Sequence, residues 1–530
     1  MNVKQLIEDG KAVLGIEFGS TRIKAVLMDT EGAVIATGGH GWENRFENGI
    51  WTYTIEDIWS GLSDCYQSIK SQVYEKYNVN ITTLASIGFS AMMHGYMAFD
   101  GEDNLLVPFR TWRNTITEEA ASILTKEFNY NIPQRWSVSH LYQSVLNKEE
   151  HVNQIRYFTT LAGYVHWKLT GRKVLGVGDA SGMFPIDSKT GNYNESMMSM
   201  FDGLMGKEGV NLKLEDILPE VLTAGKEAGS LTEEGAKLLD ITGTLRPGIP
   251  MCPPEGDAGT GMVATNSVAI KTGNISAGTS VFAMVVLEDE LSKVYPEIDM
   301  VTTPDGKPVA MVHCNNCTSE INAWVNVFAE FMRLMHHEPD MNELYEKLYS
   351  VAMKGNSDCR KLLSYNYLSG EPVTGFEQGA LLFARSANAS FNLPNFMRMH
   401  LYSALATLKI GMDILIKDEG VQVEEMLGHG GYFKTKNVGQ QIAADAIGAP
   451  ITVMETAGEG GAWGVGVLAL YMISKEKDET LSQFLDNKIF KNQIGSRLFP
   501  NSDNVEGFEE FMKEYKRGLS VEKEAVRVLC

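Results

Sequence analysis

Short hydrophobic runs broken by small polar turns dominate the first hundred residues. Val13 to Glu17 is an apolar run of strand length, Ile23 to Met28 a second and Ala33 to Thr37 a third, with Thr30-Glu31-Gly32 turning the chain between the last two. Ile55 to Tyr77 follows with Ile55, Ile58, Trp59, Leu62, Tyr66 and Ile69 at helical spacing. Leu84 to Phe89 returns to strand character, and Tyr96 to Phe99 and Leu105 to Phe109 flank the turn Gly101-Glu102-Asp103-Asn104. The pattern predicts β-β-β-α-β, a mixed α/β arrangement.

The second half repeats the opening. Ile270 to Asp289 is again a strand, a turn of glycine and hydroxyls, and a strand ending in acid. Ile16-Glu17-Phe18-Gly19-Ser20-Thr21 aligns with Ile275-Ser276-Ala277-Gly278-Thr279-Ser280. Phe396 to Leu415 then reads as a long helix, Glu425 to Leu427 as a short strand before Gly428-His429-Gly430-Gly431, and Asn437 to Ile447 as a helix. A glycine-rich turn follows in the stretch that begins Glu455-Thr456-Ala457-Gly458, and leads into a helix of small residues. Two similar halves predict two α/β domains, 1–265 and 266–530, facing a central cleft, with the join near Ala264 to Ser267. No low-complexity linker separates them, so tight packing is expected rather than a tether.

The length of 530 residues is too great for one core and agrees with two large domains. Lys and Arg total 46 against 67 Asp and Glu, a net charge of -21. That balance argues against nucleic acid or an anionic membrane as partner, since both need a basic face. The six cysteines, Cys65, Cys252, Cys314, Cys317, Cys359 and Cys530, are sparse and irregularly spaced, which suits a reducing compartment. The N-terminus lacks an apolar signal core, and the apolar stretch from Trp463 to Ile473 is too short to span a bilayer. A soluble cytoplasmic protein is expected.

A glycine between two strands lets a ligand approach the backbone, and successive N–H groups with neighbouring hydroxyls make an anion site. Glu17 beside such a turn would repel phosphate unless Mg²⁺ lay between them. An ordinary hairpin explains one such turn; two matching turns point to a polyphosphate. There is no Walker sequence and no early G-x-G-x-x-G, so the grip is neither a P-loop nor a Rossmann turn. In Met251 to Asn266, Asp257 falls at the start of a predicted helix. There it is either a plain N-cap or an ionised acceptor for the proton of a hydroxyl attacking a γ-phosphate. Gly428, Gly430 and Gly431 would let backbone lie against a nucleoside, or serve close helix packing. Cys314-Asn315-Asn316-Cys317 has no second pair to complete a zinc site, and His336-His337 reads as surface. Phe508 to Val528 is amphipathic and suits packing or an oligomer contact, leaving a homodimer open.

Six segments in order resemble the FGGY carbohydrate kinases of the actin-like ATPase superfamily. They are GIEFGSTRIKAVLMD, GFSAMMHGYMAFD, YVHWKLTGRKVLGVGDASGMFPID, PEGDAGTGMVA, ISAGTSVF and GHGGYFKTKNVGQQIAADAIG. The resemblance implies two ribonuclease-H-like domains, with ATP mainly on the second and a sugar mainly on the first. It implies Asp257 as general base and substrate contact. It puts Gly19, Ser20, Thr21, Arg22, Gly278, Thr279 and Ser280 at the phosphates, and Gly430, Gly431, Lys434 and Asn437 at the nucleoside. Met93, His94, Trp112, Arg113 and Asn114 would face the sugar, and Glu17 with Asp257 would face Mg²⁺. Glu17 replaces the family's usual Asp, Met92 a usual Gln, Asn114 a usual Asp and Gly163 a common Asp. Met93-His94-Gly95 looks like the D-xylulose kinases, whereas the adenosine segment aligns with the L-ribulose kinases. The expected reaction is phosphorylation of a terminal hydroxyl of D-xylulose or L-ribulose. The alternatives are another polyol or ketose (glycerol, L-fuculose, L-rhamnulose), or an actin-like nucleotide-gated ATPase without sugar kinase activity.

Overall fold

The computed structural model describes residues 2–454, 460–493 and 495–530. The chain forms two compact units, one of residues 1–268, 300–309 and 457–492, the other of residues 269–299, 310–456 and 493–530.

The first unit is built on five strands, β1 (Val13–Phe18), β2 (Arg22–Met28), β3 (Val34–Gly41), β4 (Ser86–Ala91) and β5 (Glu255–Gly256), in the spatial order β5-β4-β1-β2-β3. β1 and β2 form an antiparallel hairpin, with Glu17 opposite Lys24, whereas β4 runs parallel to β1 and β5 parallel to β4. The helix Ile55–Tyr77 covers one face. It begins with a capping box between Thr54 and Asp57 and buries Ile58, Leu62, Tyr66, Ile69 and Val73. Each such side chain contributes roughly 1.5–3 kcal/mol when taken out of water. The helix Gly460–Ser474 lies against β1 so closely that a Cβ on Gly15 would run into the Ala462 carbonyl and Gly466. Its small residues are therefore packing residues. The glycine turn of residues 455–459 lies outside the described residues.

Leu105 to Phe109 differs from its expected form. It forms no ladder with Met97–Phe99 but touches that stretch through the Leu105–Phe99 bridge and the Leu106 N–H to Ala98 bond, while Met97–Phe99 also pairs with Tyr157–Thr159.

The second unit repeats the plan with β6 (Thr272–Ala277), β7 (Val281–Val286), β8 (Ile298–Thr302), β9 (Pro308–Cys314), β10 (Glu425–His429), β11 (Ile451–Met454) and β12 (Gly495–Leu498). The order is β8-β9-β7-β6-β10-β11-β12, so β9-β7-β6-β10-β11 mirrors β3-β2-β1-β4-β5. Again the first two strands make an antiparallel hairpin and the next strand joins in parallel. The helix Leu393–Asp413 runs on as a π-helical turn, Ile414–Asp418. Among the described residues it alone is long and apolar enough to cross a membrane, but 83% of that apolar window is buried in the protein as a core helix. The C-terminal helix Ser502–Leu529 buries Phe508, Phe511, Met512 and Tyr515, with Phe508 on Tyr402 at 4.4 Å, so its first half serves packing. Val521, Val528 and Leu529 are exposed.

Candidate active site

Asp257 opens the helix Asp257–Ala264, and Gly256 takes the cap position. Asp257 is therefore the first helical residue rather than the cap, and its Oδ1 accepts the Met93 backbone N–H at 3.1 Å. The plain N-cap reading is thereby replaced. The side chain is open to solvent. Protein packed around it raises its pKa above the ordinary carboxylate value, opposed by the N–H groups of Met93 and of the helix's first turn.

Behind Asp257 lies a buried pair of acids. Glu255 accepts the N–H groups of Asp179 and Gly178 at 3.0 and 3.4 Å, and Asp179 accepts the Thr160 hydroxyl at 2.6 Å. Burial raises the pKa of both. Sequence reading missed them, although both stand within the motif segments, because nothing in spacing shows that Gly176 and Gly178 leave room for the Glu255 carboxylate.

Glu17, two strands over on β1, is half-buried. Burial first, and then the charge of Asp257, push its pKa up to about 7, with Lys24 acting in the opposite direction. A Cβ on Gly461 would collide with the Glu17 carboxylate and the Thr260 hydroxyl, so glycine there keeps the acid its space. Among the described residues no three His, Cys, Asp or Glu side chains cluster as a metal cage. Two mutually repelling carboxylates do fit Mg²⁺, which takes one or two carboxylates and fills its shell with phosphate oxygens and water.

The turn after β1 closes with Gly19 N–H on the Arg22 carbonyl at 3.1 Å, leaving Thr21 and Arg22 exposed and Ser20 partly so. Gly278 N–H likewise bonds the Ser280 carbonyl at 2.9 Å, with Thr279 exposed. The second turn is held from behind by the segment after Cys314. Cys317 N–H donates to Thr279, and both N–H and hydroxyl of Thr318 donate to Gly278. The two cysteines are buried, and burial pushes their thiols up. Gly430 has φ +101 and lies against Ala277, where a Cβ would strike the backbone. Gly431, Lys434 and Asn437 are exposed nearby in sequence, and Asn437, at φ +64, starts the helix Val438–Ile447 without a side-chain cap bond.

The expected sugar-side residues divide. His94 has φ +69, a conformation costing on the order of 1–3 kcal/mol. Its Nδ1 donates to the Gly182 carbonyl at 3.0 Å, its Nε2 accepts from Arg135 at 3.3 Å, and its ring stacks on Trp136. Burial, and then Arg135, lower its pKa to about 3, so it is neutral. Asn114 is buried. Its amide accepts from Trp51 N and donates to the carbonyls of Trp51 and Thr111, which leaves no donor for a sugar. Trp112 is 37% exposed and donates from Nε1 to the Ser20 hydroxyl at 3.2 Å. Arg113 sits over the Trp51 ring at 3.8 Å. Gly163 is buried where a Cβ would meet Thr159 and Leu175, so the acid common in the family has no room.

Residues 12–263 match the N-terminal domain model of the FGGY family of carbohydrate kinases, and residues 273–473 match its C-terminal domain model. The chain belongs to the FGGY family of carbohydrate kinases. This FGGY kinase is 20% identical over 519 residues to the xylulose kinase of Haemophilus influenzae, covering 96% of this chain and 99% of that one. It is 22% identical over 521 residues to the glycerol kinase of Pseudarthrobacter chlorophenolicus, covering 91% and 94%. Its fold matches the ligand-bound xylulose kinase of Lactobacillus acidophilus with a TM-score of 0.76 at 17% identity, over 98% of this chain and 99% of that one. The two sheets are thus the ribonuclease-H-like cores of the actin-like fold, and the protein is a phosphotransferase acting on a small-molecule sugar.

Proposed function

We propose that this FGGY kinase transfers the γ-phosphoryl group of ATP to a terminal hydroxyl of a ketopentose, with Asp257 as the general base. The observation that carries the reading is the Met93 N–H to Asp257 bond. It ties an accessible carboxylate to the Met93-His94-Gly95 loop that resembles the xylulose kinases. The xylulose kinase names among the relatives favour D-xylulose over L-ribulose, and the glycerol kinase names keep other polyols in view.

Asp257 would accept the proton of the attacking hydroxyl, a task suited to a carboxylate whose pKa lies above the ordinary value. The turns Gly19–Thr21 and Gly278–Ser280 would each offer N–H groups and hydroxyls to phosphate oxygens, and Arg22 a positive charge. Gly430, Gly431, Lys434 and Asn437 would contact the nucleoside. Glu17 and Asp257 would hold Mg²⁺, which when bound neutralises charge on the phosphoryl oxygens. Met93, His94, Trp112 and Arg113 would line the sugar, with His94 fixed as a neutral wall and Asn114 positioning the loop. The domain assignment proposed is sugar on 1–265 and nucleotide on 266–530, in the cytoplasm.

The test is ADP release by the purified protein with D-xylulose, L-ribulose, D-ribulose, L-xylulose, L-fuculose, L-rhamnulose or glycerol. The reading expects the strongest stimulation from a ketopentose. Stimulation by glycerol alone would replace the substrate, and ADP release indifferent to every sugar would favour a nucleotide-gated ATPase.

A further inference from the structure

Residues 42–53 join β3 to the helix Ile55–Tyr77 and include the small hairpin of Arg45–Glu47 with Ile50–Thr52. Both ends of this segment grip the Gly19–Thr21 turn. Trp42 donates its backbone N–H to Thr21 at 3.2 Å and its Nε1 to Gly19 at 2.7 Å, and the Tyr53 hydroxyl donates to Ser20 at 2.5 Å. The two rings are buried and stacked at 4.0 Å and 22°. Three successive carbonyls are thus turned inward, where they cannot repel an anion. The N–H groups of Ser20 and Thr21 donate to nothing among the described residues. The middle of the same segment grips residues 111–114. Trp51 exchanges bonds with Asn114 and accepts from Thr111 N, and Asn44 donates to the Thr111 hydroxyl. Trp112 closes the triangle on the Ser20 hydroxyl.

We infer that residues 42–53 are a brace that fixes the Gly19–Thr21 turn relative to the segment 111–114, with Trp42 and Tyr53 as positioning residues for phosphate. The inference rests on the phosphate reading of that turn. Its physical basis is that a preorganised anion site spends no binding energy on reorienting its dipoles.

The test is calorimetric titration of the magnesium complex of a non-hydrolysable ATP analogue into wild type, Tyr53→Phe and Trp42→Phe. Both substitutions keep an aromatic ring and remove one donor. Each is expected to weaken nucleotide binding roughly fivefold, the net value of one hydrogen bond. Tyr66→Phe removes a buried hydroxyl that has no partner among the described residues and serves as the matched control. It is expected to bind like wild type. If the Trp42 and Tyr53 variants show only a lower melting temperature, with nucleotide affinity within twofold of wild type, the brace is overturned. If wild type itself binds no nucleotide, the phosphate reading beneath it is overturned instead.

Discussion

The two glycine turns share a strand-turn-strand plan and differ in what surrounds them. The first spans four residues between the paired Phe18 and Ile23, the second three between Ala277 and Val281. The first has an acid, Glu17, two residues before its glycine, whereas the second has Ser276. Side chains hold the first, with the indole of Trp42 and the hydroxyl of Tyr53 on its carbonyls. The second rests mainly on the neighbouring backbone of Cys317 and Thr318, and Gly430 presses against it. The two hairpins thus share a plan and differ in their surroundings. On the proposed reading the copy in the first unit would carry the charge chemistry, and the copy in the second would offer a compact anion cradle beside the proposed nucleoside motif.

That asymmetry is open to direct attack. Glu17→Gln is expected to lower kcat/KM for ATP on the order of 100-fold, since it weakens charge stabilisation in the transition state. Ser276→Ala should stay within about twofold, because its position bears no charge. Equal losses in both would erase the distinction. Gly430→Ala should cost roughly 1–3 kcal/mol in thermal denaturation, because φ +101 and the Ala277 backbone both oppose a side chain. Gly278→Ala, whose Cβ would meet only open space, should be nearly neutral.

The pH dependence of stability sharpens the same contrast. The Glu17 carboxyl is raised from 4.5 to about 7 in the folded protein, so the fold binds a proton that the unfolded chain releases. Its favourable contribution is fully present below pH 4.5 and is lost as pH rises through about 7. Glu17→Gln should remove this slope in ligand-free protein and leave the variant more stable by about 3 kcal/mol at pH 8, read by denaturant melts. Thr318→Val is expected to have a small effect. It removes the 2.7 Å hydroxyl bond to Gly278 but keeps the backbone bond, so KM for ATP should rise about twofold to threefold.

Much of this was legible in the sequence. The paired hairpins, the long helices and the segment around Asp257 follow from periodicity and glycine placement, because those signals are local. The helix at Ile55 begins where its apolar spacing begins, capped by Thr54. What could not be read depends on contacts between distant residues. Nothing local says that Trp42 and Tyr53 reach back to a turn some 20 to 30 residues earlier, or that Asn114 spends its amide on Trp51. The Glu255 and Asp179 pair is hidden for the same reason, since 76 residues separate two acids that share a bond. His94 was singled out for its neighbourhood, but only the structure shows both ring nitrogens engaged.

The central claim is that Asp257 accepts the sugar's proton, and one pair of measurements on Asp257→Asn tests it most directly. Nucleotide affinity by calorimetry and ADP release with the preferred sugar should be taken on the same preparation. The account predicts affinity within a few-fold of wild type and turnover lowered by about 10²- to 10⁴-fold, the usual worth of a general base. Turnover near the wild-type rate in a variant that still binds nucleotide would contradict it.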